Sequence, residues 1–101
     1  MKYFKVFLSG PMTGIEDYNR PLFNATELEL KEMGHTVLNP AFLPEGLETH
    51  DYSNICHAMI KASDCILLLQ GWETSVGANL EIDMARDMGK KIFLHRIEEV
   101  E

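Results

Sequence analysis

The segment DCILLL, from Asp64 to Leu69, constrains the fold of this chain more than any other stretch. Its apolar residues follow one another without polar alternation, which indicates a strand buried on both faces. Strands of this kind occur in parallel sheets whose two faces are covered by helices. The segment therefore predicts a parallel sheet at the centre of the fold.

The segments on either side of this strand supply the other strands and the helices. Short apolar runs predict strands at 3–9, 35–38 and 92–94, and apolar residues at helical spacing predict helices at 21–33, 52–63 and 75–88. An irregular connection is expected at 41–51 and a frayed tail at 98–101. The alternating order predicts an α/β fold, a small doubly wound parallel sheet of four to five strands, flavodoxin-like or Rossmann-like, with helices on both faces.

Length and composition are those of one small domain, which we expect to span residues 1–101. Hydrophobic residues make up 46% of the chain and charged residues 25%, as in ordinary globular proteins. The net charge of −7 argues against a nucleic-acid backbone or an anionic membrane as partner. Because a chain of this size buries a small core, pairing with a second copy is expected, as a homodimer or a higher homo-oligomer.

The cysteines and the amino-terminal segment bear on location. Cys56 and Cys65 are too few for a disulfide framework, and the apolar stretch in MKYFKVFLSG is too short for a signal peptide or a spanning helix. These features predict reduced thiols and a cytoplasmic location. The spacing of His50, Asp51 and His57 matches no established ligand pattern, so neither a metal nor a cofactor is expected.

Two loops of unusual composition follow strands and should meet at the carboxyl edge of the sheet, where such folds bind ligands. They are SGPMTG at 9–14 and GWETSVG at 71–77. The second loop leads into a helix whose free backbone N–H groups and positive dipole end attract an anion. Ser75 is either a simple N-cap or a hydroxyl that also contacts a phosphate, and Gly77 leaves room beside the backbone.

One carboxylate, Glu81, lies in the middle of the apolar stripe of that helix. At about 100° per residue, five small or apolar residues fall within about 60° of it; they are Gly77, Ala78, Met84, Ala85 and Met88. A buried carboxylate is either paired, here with Arg20, Lys61 or a second subunit, or used in a site. The helix start at the sheet edge predicts that Glu81 points into the pocket, and the helix dipole predicts that it stays ionised, as a nucleophile requires.

The ordered set of motifs resembles the nucleoside 2-deoxyribosyltransferase superfamily. The motifs are SGPM at 9–12 after the first strand, Asn39-Pro40 after the second, Asp64 at the buried strand, and GWExSxGAxxE at 71–81. The chain is similar to a small, often phage-encoded branch of that superfamily. It also resembles the deoxynucleoside 5'-monophosphate N-glycosidases, which share the pattern SxGxxxE. The similarity extends over nearly the whole chain.

The resemblance implies a role for each matched residue. Glu81 is expected to attack C1' of a 2'-deoxyribosyl group, which releases the base and leaves a covalent ester for water or a second base to resolve. Ser75 is expected to hold a 5'-phosphate, and Gly10 to lie beside the sugar. Met12 and Trp72 are expected to be apolar walls for the base, although Trp72 fits a dimer contact equally well. The full expected substrate-binding set is Ser9, Gly10, Pro11, Met12, Trp72, Ser75, Gly77 and Ala78.

One position departs from the family pattern. Relatives with known activity carry an aspartate, two helical turns before the residue that matches Asp64, that protonates or orients the departing base. Here the position is Cys56, and a thiol is a poor proton donor to a purine. The neighbouring His57 is the candidate general acid near neutral pH, and Asp51 lies a few residues upstream.

The leading hypothesis is an enzyme that cleaves or exchanges the N-glycosidic bond of a 2'-deoxynucleoside 5'-monophosphate or a deoxynucleoside. The monophosphate is favoured because Ser75 stands where transferases acting on nucleosides tend to carry an acidic residue, which would repel phosphate. The alternative is a non-catalytic nucleotide-binding protein, a sensor or sequestering module that retains the pocket. A structural subunit without a ligand leaves the position of Glu81 unexplained.

Overall fold

The computed structural model describes residues 2–97, and the predicted frayed tail at 98–101 lies outside them. The described residues form four strands, β1 (Lys5–Ser9), β2 (Thr36–Leu38), β3 (Cys65–Leu68) and β4 (Lys91–Leu94). Three helices connect them, α1 (Arg20–Glu32), α2 (Thr49–Ala62) and α3 (Val76–Asp87). Short 3₁₀ turns lie at Glu16–Asn19, Pro40–Phe42 and Trp72–Thr74.

The four strands form one parallel sheet in the order β2-β1-β3-β4. In its register, Val6 of β1 lies opposite Val37 of β2 on one side and Cys65 of β3 on the other. From β1 the chain adds β2 on one side of the sheet, and then β3 and β4 on the other side. The loops that follow β1 and β3 therefore run to opposite faces and leave a crevice between them at the carboxyl edge. The predicted doubly wound parallel sheet is confirmed.

Helices cover both faces of the sheet. On one face, Val6, Leu8 and Leu67 pack with Phe23 and Leu30 of α1. On the opposite face, a second cluster joins the sheet to α2 and α3; its buried members are Phe7, Cys56, Ile60, Ile66, Leu68, Ile82 and Ala85. Successive residues of β3 therefore enter different cores, and this explains the unbroken apolar run that begins at Cys65.

The main departure from the predicted elements is at α2, which begins at Thr49 instead of residue 52. A capping box explains the earlier start, because the Glu48 backbone N–H donates to the Asp51 carboxylate over 3.0 Å. The connection predicted to be irregular at 41–51 is consequently shorter and includes part of a 3₁₀ turn. Within residues 2–97, no helix has both the length and the apolarity needed to cross a bilayer.

Candidate active site

The amino terminus of α3 is fixed by Ser75, the N-cap residue. Its Oγ accepts a hydrogen bond from the backbone N–H of Ala78 over 3.1 Å. Further along the helix, Ile82 and Ala85 are buried in the core, which sets the rotation of α3 about its axis. Glu81 precedes Ile82 by one residue and is half-buried, at the boundary between core and solvent. Packing of α3 therefore presents Glu81 at the carboxyl edge of the sheet.

Three elements converge on the Glu81 carboxylate. Ser9, fully buried at the end of β1, donates its hydroxyl to Glu81 Oε1 over 2.6 Å. The Cys56 thiol, on α2, forms a second hydrogen bond with the same carboxyl. Within the described part of the chain, neither Arg20 nor Lys61 forms an ion pair with Glu81, so the alternative of pairing with one of these two cations is not what the structure shows.

Burial raises the pKa of Glu81 to about 7, more than the hydrogen bonds from Ser9 and Cys56 lower it. The sequence predicted that the helix dipole keeps this carboxyl ionised, and that prediction underestimated desolvation. The dipole acts mainly within the first turn, whereas Glu81 is the sixth residue of α3. Near neutral pH a substantial fraction of Glu81 is therefore protonated.

The Cys56 thiol remains a neutral donor. Burial, followed by the charge and hydrogen bond of Glu81, raises the pKa of Cys56 to about 12. A thiol with such a pKa neither ionises near neutral pH nor transfers its proton readily. Cys56 can orient Glu81, but it cannot replace the carboxylic acid expected at this position.

Glu81 faces a cleft of about 910 Å³ at the carboxyl edge of the sheet. Both predicted loops line it, together with α2 and the segment Leu43–Leu47. Six residues predicted for the site lie along its wall: Gly10, Pro11, Met12, Ser75, Gly77 and Glu81. The structure thus brings together the Glu81 carboxyl, the first loop and the amino terminus of α3.

The two glycines of the cleft have different roles. A Cβ on Gly10 would approach Leu69 Cβ to 2.9 Å, so a side chain there would collide with the residue that follows β3. Gly10 is thus required by packing between the first loop and β3, a reason the sequence did not reveal. A Cβ on Gly77 would meet only Ser75 Oγ, at 4.0 Å, so Gly77 leaves the open approach to the backbone that was predicted.

Four predicted site residues do not line the cleft. Ser9 lies behind Glu81 and contacts the carboxyl instead. Ala78 is buried, and its N–H is bound by Ser75. Trp72, expected as an apolar wall for the base, packs half-buried against the core cluster under α2 and α3 and is not among the residues that line the cleft.

The fourth residue, His57, is exposed on α2 and outside the cleft. Consecutive helix residues point about 100° apart, so His57 turns to solvent when Cys56 turns inward. Asp51, the upstream carboxylate, is bound in the α2 capping box. Neither residue is placed to supply the missing acid.

Sequence reasoning named Tyr18 as a residue that could reach the sugar or the carboxylate, but it missed Arg20 and Glu45, which line the cleft together with Tyr18. The Arg20 guanidinium lies 5.1 Å from the centre of the Tyr18 ring, and its Nε donates to the Ala41 carbonyl over 3.4 Å. Backbone φ angles of 52°, 52° and 62° at Asp17, Tyr18 and Asn19 bend the chain ahead of α1. The Asp-x-Asn pattern before Pro21 was the available signal, because Asp and Asn tolerate left-handed conformations.

The sequence matches the family described as Domain of unknown function (DUF4406) over residues 4–94. The chain belongs to this family. Among curated proteins, no significant sequence match is found.

Solved structures share the fold. The CMP N-glycosidase of Clostridium botulinum matches with a TM-score of 0.65 and 29% identity, over 89% of this chain and 66% of that one. The 2-desoxiribosyltransferase from Leishmania mexicana matches with a TM-score of 0.74 and 20% identity, over 89% and 62%. The 2-deoxyribosyltransferase from Bacillus psychrosaccharolyticus matches with a TM-score of 0.71 and 21% identity, over 95% and 75%.

The predicted resemblance to the nucleoside 2-deoxyribosyltransferase superfamily is confirmed by these matches. The chain spans 66% and 62% of the length of the first two of these structures.

Proposed function

We propose that this protein cleaves or exchanges the N-glycosidic bond of a 2'-deoxynucleoside 5'-monophosphate or a deoxynucleoside, with Glu81 as the nucleophile. The observation that carries the proposal is the Glu81 carboxyl at the cleft wall, bound by Ser9 over 2.6 Å and free of any described ion pair. A carboxyl held this way is oriented without being neutralised by a cation. The names of the structurally similar enzymes support the same chemistry.

In the proposed mechanism, ionised Glu81 attacks C1' while the bond from C1' to the base nitrogen breaks. The bonding electron pair leaves with the base, which takes a proton from water. The resulting sugar–enzyme ester is resolved at C1' by water, in hydrolysis, or by a second base, in transfer, so that configuration is retained. Ser9 binds Oε1 throughout and fixes the direction of the carboxyl.

The 5'-phosphate in this proposal lies at the amino terminus of α3. The Ser75 hydroxyl accepts from Ala78, which leaves its own proton available for a phosphate oxygen. The open space beside Gly77 and the positive end of the α3 dipole favour an anion there. The similarity to a CMP N-glycosidase, at 29% identity, supports a monophosphate substrate.

A second candidate function is non-catalytic nucleotide binding, as a sensor or a sequestering protein. It is favoured by one observation, the neutral Cys56 thiol where relatives carry an acid, because the departing base then lacks a proton donor of suitable pKa. The pocket itself does not depend on that acid.

We further propose a homo-oligomeric protein of the cytoplasm. Val76 and Leu80 form an apolar pair on α3, exposed by 78% and 53%, at the rim of the cleft. A second copy that covered this pair would bury apolar surface beside the substrate.

The test is incubation with the four common deoxynucleoside 5'-monophosphates, their nucleosides and CMP, with free base measured by chromatography. Base release should fall by about 1,000-fold or more in Glu81→Gln, since the amide cannot form the ester. Asp83→Asn is the matched control, because Asp83 is an exposed carboxylate on the same helix outside the cleft. Thermal stabilisation by a nucleotide without base release would favour the binding protein. The absence of both base release and stabilisation would refute both functions.

A further inference from the structure

The arginine side of the cleft, formed by Tyr18, Arg20 and Glu45, has no role in the chemistry above. Among the described residues that line the cleft, Arg20 is the one cationic side chain, whereas Glu45 and Glu81 are acidic. The chain as a whole carries a net charge of −7. A phosphate dianion that enters this cleft therefore approaches a protein of negative net charge, and Arg20 is the cation it meets on the described wall.

The amino terminus of α3 alone is a weak attractant under these conditions. A helix terminus carries about half an elementary charge, and the Ser75 hydroxyl is neutral. A guanidinium carries a full charge and binds phosphate oxygens through paired N–H donors. Selection of a phosphorylated ligand over its nucleoside thus points to Arg20.

The Arg20 side chain is held in place before any ligand binds. Its Nε contacts the Ala41 carbonyl, and its guanidinium covers the Tyr18 ring. The left-handed backbone at residues 17–19 costs roughly 1 kcal/mol at each of these non-glycine residues. Asn19 secures this bend, since its Nδ2 donates to the Pro11 carbonyl of the first loop over 2.8 Å. A strained turn that is tied to the first loop fixes the cation at the cleft wall.

Two carboxylates compete for the guanidinium. Asp17 lies 3.1 Å from Nη1, and Glu45 lies 3.8 Å from Nη2. Both are exposed, at 57% and 65%, so these ion pairs contribute little and can be exchanged. Glu45 makes the longer contact and belongs to the segment Leu43–Leu47 at the cleft wall. Nη2 is therefore the donor that a ligand can take over most easily.

We propose that Arg20 determines specificity for a phosphorylated ligand. The ligand phosphate binds between the amino terminus of α3 and the Arg20 guanidinium, where it replaces Glu45. The proposal rests on the proposed function, because it takes the cleft to be the nucleotide site. Glu45 then acts as a competitor that weakens phosphate binding and excludes weaker anions. Its removal should strengthen phosphate binding, whereas a merely structural ion pair would have no such effect.

The experiment measures dissociation constants for a deoxynucleoside 5'-monophosphate, its nucleoside and inorganic phosphate by calorimetry. Arg20→Gln should weaken monophosphate binding about tenfold or more and change nucleoside binding less than about twofold. Glu45→Gln should strengthen monophosphate and inorganic phosphate binding about two- to fivefold, again with the nucleoside unchanged. Arg20→Lys should retain part of the preference.

Matched controls remove the same charges elsewhere. Lys31→Gln deletes a cation of α1 that pairs with Glu27 at 2.7 Å outside the cleft, and Glu29→Gln deletes an exposed carboxylate of the same helix. Neither variant should alter the ratio of the affinity for the monophosphate to the affinity for the nucleoside. Glu45 is exposed and away from the core, so its variant reports on the site even if Arg20→Gln unfolds.

The outcomes separate the two proposals. A wild-type protein that prefers monophosphate, with the preference unchanged in Arg20→Gln and Glu45→Gln, overturns the role of Arg20 and leaves the proposed function intact. If Arg20→Gln weakens the binding of nucleotide and nucleoside equally, the role of Arg20 is also overturned, because an equal loss of affinity indicates a contact to sugar or base. A wild-type protein that binds neither form refutes the proposed function and the role of Arg20 together.

Discussion

The two sides of the cleft are held together by different kinds of interaction. On the carboxylate side, Glu81 is bound by Ser9 and Cys56, both buried and both neutral. On the arginine side, Arg20 is bound by exposed carboxylates and supported by strained backbone. Buried neutral hydrogen bonds fix an orientation and resist exchange, whereas exposed ion pairs are weak and replaceable. The first side is suited to chemistry, and the second to the entry and exchange of a charged ligand.

The largest expected effect tests whether the carboxylate side lacks only an acid. Cys56→Asp places a second carboxyl beside Glu81, and like-charge repulsion favours a state in which one of the two keeps a proton. That proton is available to the departing base, so base release should rise about 100-fold or more.

Cys56→Asn is the matched control for this variant, because it has a similar shape without a titratable proton. Free base from a deoxynucleoside monophosphate is the readout for both. Equal rates in the two variants would show that the absent acid is not what limits turnover.

A smaller effect is expected from the hydrogen bond between Ser9 and Glu81. Ionised Glu81 is the reactive form, so base release should increase as pH rises through about 7 and level off above it. The Ser9 bond lowers the pKa of Glu81, so Ser9→Ala should move this midpoint to higher pH. At pH 7 the rate should fall about tenfold through the combined loss of ionisation and orientation.

The pH profile of the rate distinguishes these effects from misfolding, because an unfolded fraction lowers the amplitude without moving the midpoint. Ser63→Ala is a suitable comparison, since Ser63 is also a buried serine and its hydroxyl bonds the Ile60 carbonyl, away from the cleft. A Ser9→Ala midpoint equal to that of the wild type would contradict the assigned contact.

The smallest effect is expected on the arginine side. Asp17→Gly relieves the strain of a left-handed φ of 52°, which stabilises the fold, and removes the exposed ion pair with Arg20, which destabilises it. Each contribution to the free energy of unfolding is about 1 kcal/mol or less. The free energy of unfolding should therefore change by less than about 1 kcal/mol in a denaturant titration. A loss of several kcal/mol would show that the arginine side is as firmly built as the carboxylate side.

The fold could be predicted to a large extent because its signals are local. The apolar run that begins at Cys65, the helical spacing around it and the loop glycines each specify an element without reference to distant residues. The start of α2 at Thr49 was missed because Glu48 and Asp51 form the capping box, and a box that begins with glutamate is not the usual Ser or Thr pattern.

The site was predicted in part. Glu81, Ser75 and the first loop carry motifs and do line one cleft. Trp72 was assigned from the family resemblance and His57 from its position next to Cys56. The structure directs the first side chain to the core and the second to solvent. Arg20 was considered only as a structural partner for Glu81, because no local pattern indicates that α1 presents it to the cleft.

By itself, the sequence determined the parallel α/β sheet, the position of the two loops at its carboxyl edge and the presence of a carboxylate on the inner face of α3. These follow from periodicity and chain order, which are properties of neighbouring residues. Only the tertiary structure decided that Glu81 is held by Ser9 and Cys56, that its pKa rises to about 7, and that Arg20 faces the same cleft. Desolvation and contact depend on residues from separate elements, and their packing becomes defined only when the chain has folded.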